Sequence, residues 1–223
     1  LREAKVTSSW LNPDEAYEHA VLKFLARILS PKEKNAFLED FLPFQSRVAS
    51  YGIYNSLSQV LIKTLAPGVP DFYQGTELWD LTLVDPDNRG LVDFAFYKNR
   101  LAELQDLQQQ LNPVELIQFL FKHADNGLIK MHMTQTTLQY RKYHSSLFLH
   151  GTYCPLEVHG ERAEHICGFL RQDDHKACLA IFPRLLTQII PDPTTLPVGE
   201  TVWGKTRISL PPSLGTQSFR NVF

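Results

Sequence analysis

The 223-residue sequence has no excess of charge of either sign: 22 Lys and Arg stand against 24 Asp and Glu, for a net −2. Without a basic field to gather phosphates, a nucleic-acid partner is not expected. There is no apolar run of about 18 residues, so no membrane-spanning helix and no membrane partner are expected. The three cysteines, Cys154, Cys167 and Cys178, are an odd set whose spacing fits no zinc or redox pattern. Buried thiols in a reducing cytoplasm are the expectation. The eight histidines form neither HxxxH nor HExxH, so metal chemistry has no anchor. GxSxG is missing too, and Ser56-Leu57-Ser58 falls in helical text, which removes a serine nucleophile of that type. No internal repeat is visible.

What is present suffices for a core: 43% hydrophobic and 11% aromatic residues. That excludes a disordered tail, a disulfide mini-protein and a coiled coil. The chain opens on Leu1 in a polar stretch without signal-peptide shape, which suggests a piece of a longer cytoplasmic protein.

The text changes character near residue 113. Before it, helical periodicity dominates. Asn12 followed by Pro13-Asp14-Glu15 reads as a cap and first turn, and Tyr17, Val21, Phe24, Leu25 and Ile28 form one apolar stripe. Further helices are expected from about Lys34 to Phe41 or Pro43, from Gln45 to Leu65, and from Ala95 to Gln110. Between the last two, Ala66-Pro67-Gly68 ends a helix, and Val69 to Gly75 reads as a short strand with a polar loop beyond it. That is the grammar of an α/β unit, in which functional groups collect past the carboxyl end of the strand. After a short helix, Val114 to Lys122, six strands are expected: 128–133, 146–149, 156–158, 165–170, 177–182 and 206–210. They suggest a small antiparallel sandwich. The fold class is therefore α+β: helices with the last strand and helix of an incomplete (β/α)8 barrel over 1–112, then a β-sandwich over 113–223.

The densest polar cluster is the loop after that strand: Glu77, Asp80, Asp85, Asp87, Asn88 and Arg89, with Tyr73 and Trp79 beside it. Carboxylates and guanidinium groups can hydrogen-bond vicinal sugar hydroxyls, and aromatic faces take the apolar side of the ring. A solvated loop with an Asp-Pro turn has the same composition. An internal catalytic pair, Glu77 with Asp80 or Asp85, is disfavoured because all three sit on one loop, whereas barrel enzymes draw catalytic groups from several strand ends. Trp10 and Trp203 read as core or interface aromatics.

Gly68-Val69-Pro70-Asp71-Phe72-Tyr73-Gln74-Gly75-Thr76-Glu77 resembles the last barrel strand of the α-amylase clan. Asp40-Phe41-Leu42-Pro43-Phe44, Asn55-Ser56-Leu57-Ser58-Gln59, Leu78-Trp79-Asp80 and Asp85-Pro86-Asp87-Asn88-Arg89 narrow the likeness to the maltooligosyltrehalose synthase family. Ser8-Ser9-Trp10, Gly151 to Leu156, Phe182-Pro183-Arg184 and Val202 to Thr206 extend it over nearly the whole chain. The resemblance implies an intramolecular transglycosylase acting on maltooligosaccharides, without metal or organic cofactor. It implies that the catalytic carboxylates lie on earlier strands, in an N-terminal remainder of the same polypeptide, so this chain would hold no catalytic residue. Asp85 and Arg89 would contact sugar; Asp87 and Asn88 would brace the loop; Tyr73, Gln74, Glu77 and Trp79 would line the cleft. Gly90-Leu91 stand where that family commonly has a second Arg and a Pro. Another hydrolase or transglucosidase of the clan, or a non-catalytic glucan-binding module, are the alternatives.

Overall fold

The computed structural model describes every residue of the chain except Glu33, Pro86, Thr194, Thr216 and Gln217, and the backbone alone at Ser213. The chain divides into two compact units, Leu1–Ser50 and Tyr51–Phe223.

In the first unit, α1 (Glu15–Ile28) is capped by Asp14, whose carboxylate accepts from Tyr17 N at 2.9 Å. The expected cap, Asn12, is instead tied into a turn with Ser9. Glu18 receives Arg2 through two bonds of 2.7 Å and also the Ser8 hydroxyl. Those donors hold its carboxyl down at about 2, the Arg2 bond contributing most. Tyr17, Phe24 and Leu25 of the stripe are exposed, as is Trp10, which donates to Glu3 rather than entering a core.

The two helices expected between residues 34 and 65 are one, α2 (Ala36–Leu65), with Pro43 inside it; the helix continues into the second unit. Pro43 offers no donor to the carbonyl of Glu39, but that turn is exposed and water can take the acceptor.

In the second unit, α2 is followed by α3 (Phe94–Gln110), α4 (Pro113–Lys122), α5 (Leu128–Tyr143) and the short α6 (Ser145–His150). Asn112 and Glu115 make a reciprocal capping box on α4. Segments 128–133 and 146–149, expected as strands, are helical. Ile129, Met131 and Met133 alternate with Lys130 and His132, which reads as a strand. Thr134 and Thr137 bond back to the carbonyls of Lys130 and Met133 at 2.8 Å, while Leu128, Met131, Thr134 and Thr137 bury one face. Leu57, Leu104, Leu116, Leu120 and Leu128 from α2 to α5 form one core, which Leu78 completes.

Residues 69–75 do not form the expected strand. Pro70 removes a ladder donor, no strand lies beside the segment among the described residues, and a turn closes from Thr76 N to the Tyr73 carbonyl at 3.2 Å. After α6, β1 (Thr152–Pro155) had not been expected as a strand. Together, β1, β2 (Val158–His159), β3 (Ile166–Gln172), β4 (Ala177–Pro183), the short helix α7 (Glu200–Trp203) and β5 (Arg207–Ile208) complete the chain. They pair as an antiparallel sheet in the order β1-β3-β4, with Gly168 opposite Ile181, and a two-stranded pair β2-β5. In place of a six-strand sandwich, Phe169 and Ala180 of the larger sheet pack on Leu61, Leu65, Leu147 and Phe148 of α2 and α6. The helical segments absorbed the strands that a second sandwich layer would have used. Trp203 packs with Tyr51, Leu186, Ile190 and Val202, as expected of a core aromatic.

The cysteines are free and half-buried, and burial pushes the Cys178 thiol up to about 11. No helix among the described residues is long and apolar enough to cross a membrane.

His132 on α5 is 6% exposed, meets Gln108 Nε2 at 3.1 Å through Nδ1, and leaves Nε2 unpartnered. Desolvation lowers its pKa. The unfolded chain therefore takes up this proton first as pH falls below about 6.5. Stability is full above that pH and drains, by up to about 1.4 kcal/mol per pH unit, until the folded form also protonates. Urea unfolding at pH 7.5 and 5.0 should show a smaller acid loss in His132→Gln than in the parent; equal losses would place the acid sensitivity elsewhere.

Candidate functional site

The segment from Ala66 to Val92, between α2 and α3, carries every site residue expected from sequence, and the structure divides them into three groups. At its start, Arg141 of α5 donates to the carbonyls of Thr64 at 2.8 Å, Ala66 at 3.4 Å and Gly68, closing the α2 C-terminus and fixing where the segment leaves it.

The first group forms the turn at residues 73–77. Tyr73 and Gln74 are exposed. Glu77 is half-buried and turns back, its Oε2 accepting from Gly75 N at 3.0 Å. Gly75 has φ +86°, and a Cβ there would lie 3.2 Å from Val92, so glycine fits both the turn and the close approach. The Tyr97 hydroxyl of α3 donates to the Gly75 carbonyl. Burial, followed by the nearby charges of Glu77 and Asp80, raises the Tyr97 pKa.

The second group is the bend at Leu78-Trp79-Asp80. Leu78 enters the helical core. Trp79 is half-buried and donates Nε1–H to the Ala124 carbonyl at 2.6 Å, which makes it an anchor of the bend. Asp80 accepts from Thr82 N at 3.0 Å and Thr82 Oγ1 at 2.7 Å; these bonds hold its carboxyl below the ordinary range.

The third group is the loop of residues 83–89. Asp87 Oδ2 accepts from Leu83 N at 2.7 Å, so Asp87 braces the loop. Asn88 is partly buried, with its Oδ1 enclosed and without a partner among the described residues. Asp85 and Arg89 are 58% and 70% exposed and grip each other through both carboxylate oxygens. Pro86 lies outside the described residues.

Sequence reasoning missed Lys130 and Tyr97. Lys130 Nζ donates to the Leu78 carbonyl at 2.9 Å and stands 5.6 Å from the Trp79 ring centre. It borders a cavity of about 330 Å³ with Lys63, Gln59, Asp71, Phe72 and Tyr73. Reading 128–133 as a strand concealed Lys130; the Asp125-Asn126-Gly127 turn, a left-handed glycine opening α5, is the signal that reveals it. Among the described residues no group of three His, Cys, Asp or Glu converges as metal ligands would.

The loop presents an exposed carboxylate and guanidinium beside the bracing Asp87, in a mixed helix-and-sheet protein. No family model matches the chain. It is 32% identical over 203 residues to the putative maltooligosyl trehalose synthases of two Mycobacterium tuberculosis strains, covering 91% of this chain and 23% of those proteins. The maltooligosyltrehalose synthase structure from Arthrobacter ramosus superposes with a TM-score of 0.69 at 30% identity, over 94% of this chain and 24% of that one. A second crystal structure of a maltooligosyl trehalose synthase gives 0.62 at 35% identity, over 82% and 23%. The chain is thus similar to maltooligosyltrehalose synthases along nearly its whole length, and it spans about a quarter of theirs.

Proposed function

We propose that this chain is the C-terminal part of an intramolecular transglycosylase, which converts the reducing-end α-1,4 linkage of a maltooligosaccharide into an α,α-1,1 linkage. The observation that carries this reading is the Asp85–Arg89 pair. Both side chains are exposed, and among the described residues each has its ion-pair partner only in the other. Asp87 meanwhile does the bracing. An exposed pair contributes at most about 1 kcal/mol to folding, so its charges are available to a ligand.

In the proposed reaction one carboxylate attacks the anomeric carbon, a glutamic acid protonates the leaving oxygen, and a third carboxylate steadies the transition state. The freed glucose turns and returns its anomeric hydroxyl to the same glycosyl-enzyme. Exclusion of water separates this isomerisation from hydrolysis. Those carboxylates belong to the N-terminal remainder of the polypeptide. Residues 1–112 supply the sugar-binding loop at the end of the catalytic region, residues 113–223 the C-terminal part, in which α4 to α6 precede the strands, and the chain alone is inactive. Along the first half of α2, Phe37, Phe41, Phe44 and Val48 are exposed at helical spacing, a face that the remainder would cover.

A product assay on maltopentaose, following reducing-end loss and free glucose together, tests this. A polypeptide of the relatives' full length should lose reducing ends with little glucose release, while the 223-residue chain turns nothing over. Turnover by the short chain would make Glu77 and its neighbours a catalytic set and overturn the proposal.

A further inference from the structure

We infer that Lys130 is a positioning residue for the substrate-binding segment: it pins the Leu78–Asp80 bend from which the Asp85–Arg89 loop departs. Three contacts from the α4–α5 corner converge on that bend. Lys130 Nζ donates to the Leu78 carbonyl at 2.9 Å. The Trp79 indole donates to Ala124 at 2.6 Å and lies 5.6 Å beneath the same ammonium. Gly127, at φ +79°, lets the start of α5 come so close that a Cβ there would lie 3.0 Å from Trp79 N and 3.1 Å from Leu78 Cβ. Backbone therefore meets backbone at this corner, and among the described residues Lys130 supplies its one side-chain bond to the bend's main chain.

The ammonium also sets the charge balance. The groups facing it are Lys63 of α2 and, on the segment itself, Glu77 and Asp80; Asp71 borders the same cavity. Half-burial and Lys63 lower the Lys130 pKa, against the pull of Asp80 and Glu77. When Lys130 loses its proton, the carbonyl bond loses its charge assistance and the indole loses its cation, so the bend should loosen at alkaline pH. A role in catalysis presupposes the sugar-binding reading of the loop; the anchoring itself does not.

The test is made on the intact chain carrying 5-fluorotryptophan, with the Trp79 resonance assigned by Trp79→Phe. In the parent chain, that resonance should shift with a midpoint below the ordinary lysine value of about 10.4. The shift should survive Lys63→Met and vanish in Lys130→Met and Lys130→Arg. At pH 7, amide exchange over residues 78–89 should quicken about tenfold or more in Lys130→Met, stay near parental in Lys130→Arg, and remain unchanged in β3 and β4 of both. If Lys130→Met fails to fold, the parental titration and Lys130→Arg decide. Parental exchange over 78–89 in the Met variant, or a Trp79 resonance that ignores pH up to 10.4, overturns the assignment. Maltopentaose added to the parent chain tests the sugar reading separately: perturbation near Asp85 and Arg89 supports a substrate role for the anchored loop. A silent titration beside a positive Lys130 result overturns that substrate role and leaves the anchor standing.

Discussion

Replacing Arg171 with Met should destabilise the second unit by about 3–5 kcal/mol, because several carbonyls lose a charged donor at once. Arg171 lies on β3 and is 2% exposed. Its Nε donates to the Thr152 carbonyl at 3.2 Å, and one terminal nitrogen reaches Leu147 at 3.4 Å, Phe148 at 3.1 Å and Gly151 at 2.9 Å. These acceptors are the end of α6 and the start of β1, so a single guanidinium supplements the Gly151 N–H that caps α6 and favours the negative end of its dipole. Leu147 O keeps a second donor in Gly151 N at 3.0 Å, so the loss falls on Phe148 and Gly151. The opposing effect is smaller. The other terminal nitrogen is buried without a partner, and Met would recover its desolvation. Packing over the Phe148 ring, 5.7 Å from the guanidinium carbon, is largely conserved by Met. Lys should not rescue, since one ammonium cannot span acceptors on two elements. Urea unfolding with an unchanged m-value would measure the loss. A change under about 1 kcal/mol would mean that water has taken over the carbonyls.

Arg171 also shows where the sequence was silent. The text around Ser146–Leu149 is a short apolar run that suits a strand as well as a buried helix, and one residue that bonds its carbonyls lies more than twenty positions downstream. Periodicity sees neighbours along the chain, not a capping group delivered by a sheet. Segment 128–133 failed for a related reason: its apolar and polar residues alternate locally, yet α5 continues to Tyr143, where Thr134 and Thr137 back-bond to i−4 carbonyls. Where the signal was local, it held. The helices expected at 95–110 and 114–122 appear as α3 and α4, and the strands expected at 165–170 and 177–182 as β3 and β4. The candidate site divides the same way. Asp87 as loop brace came from the family resemblance, and its carboxylate accepts from Leu83 N. The inward turn of Glu77 onto Gly75 and the anchoring of Trp79 by Ala124 needed contacts that only the folded chain contains.

In a polypeptide of the relatives' length, Asp85→Ala and Arg89→Ala should each lower kcat/KM for maltopentaose by roughly 10- to 150-fold, the equivalent of about 1.5–3 kcal/mol per charge-assisted contact. The geometry guards this prediction against the usual confusion with unfolding. The pair is exposed and made between residues four apart, so its removal should change stability by about 0.5 kcal/mol or less. A large kinetic loss with an unchanged unfolding midpoint would therefore report lost sugar contacts. Asp87→Ala discriminates further. It frees Leu83 N and loosens the loop, so it should raise KM through both charges while leaving each in place. The double variant Asp85→Ala/Arg89→Ala should cost more than the sum of the single variants, because in the free protein the pair must open before either side chain binds, and each single variant is spared that step while the double is spared it only once. If both single variants kept parental kinetics, the loop would be only a solvated turn, and the sugar would have to be held by groups outside residues 73–89.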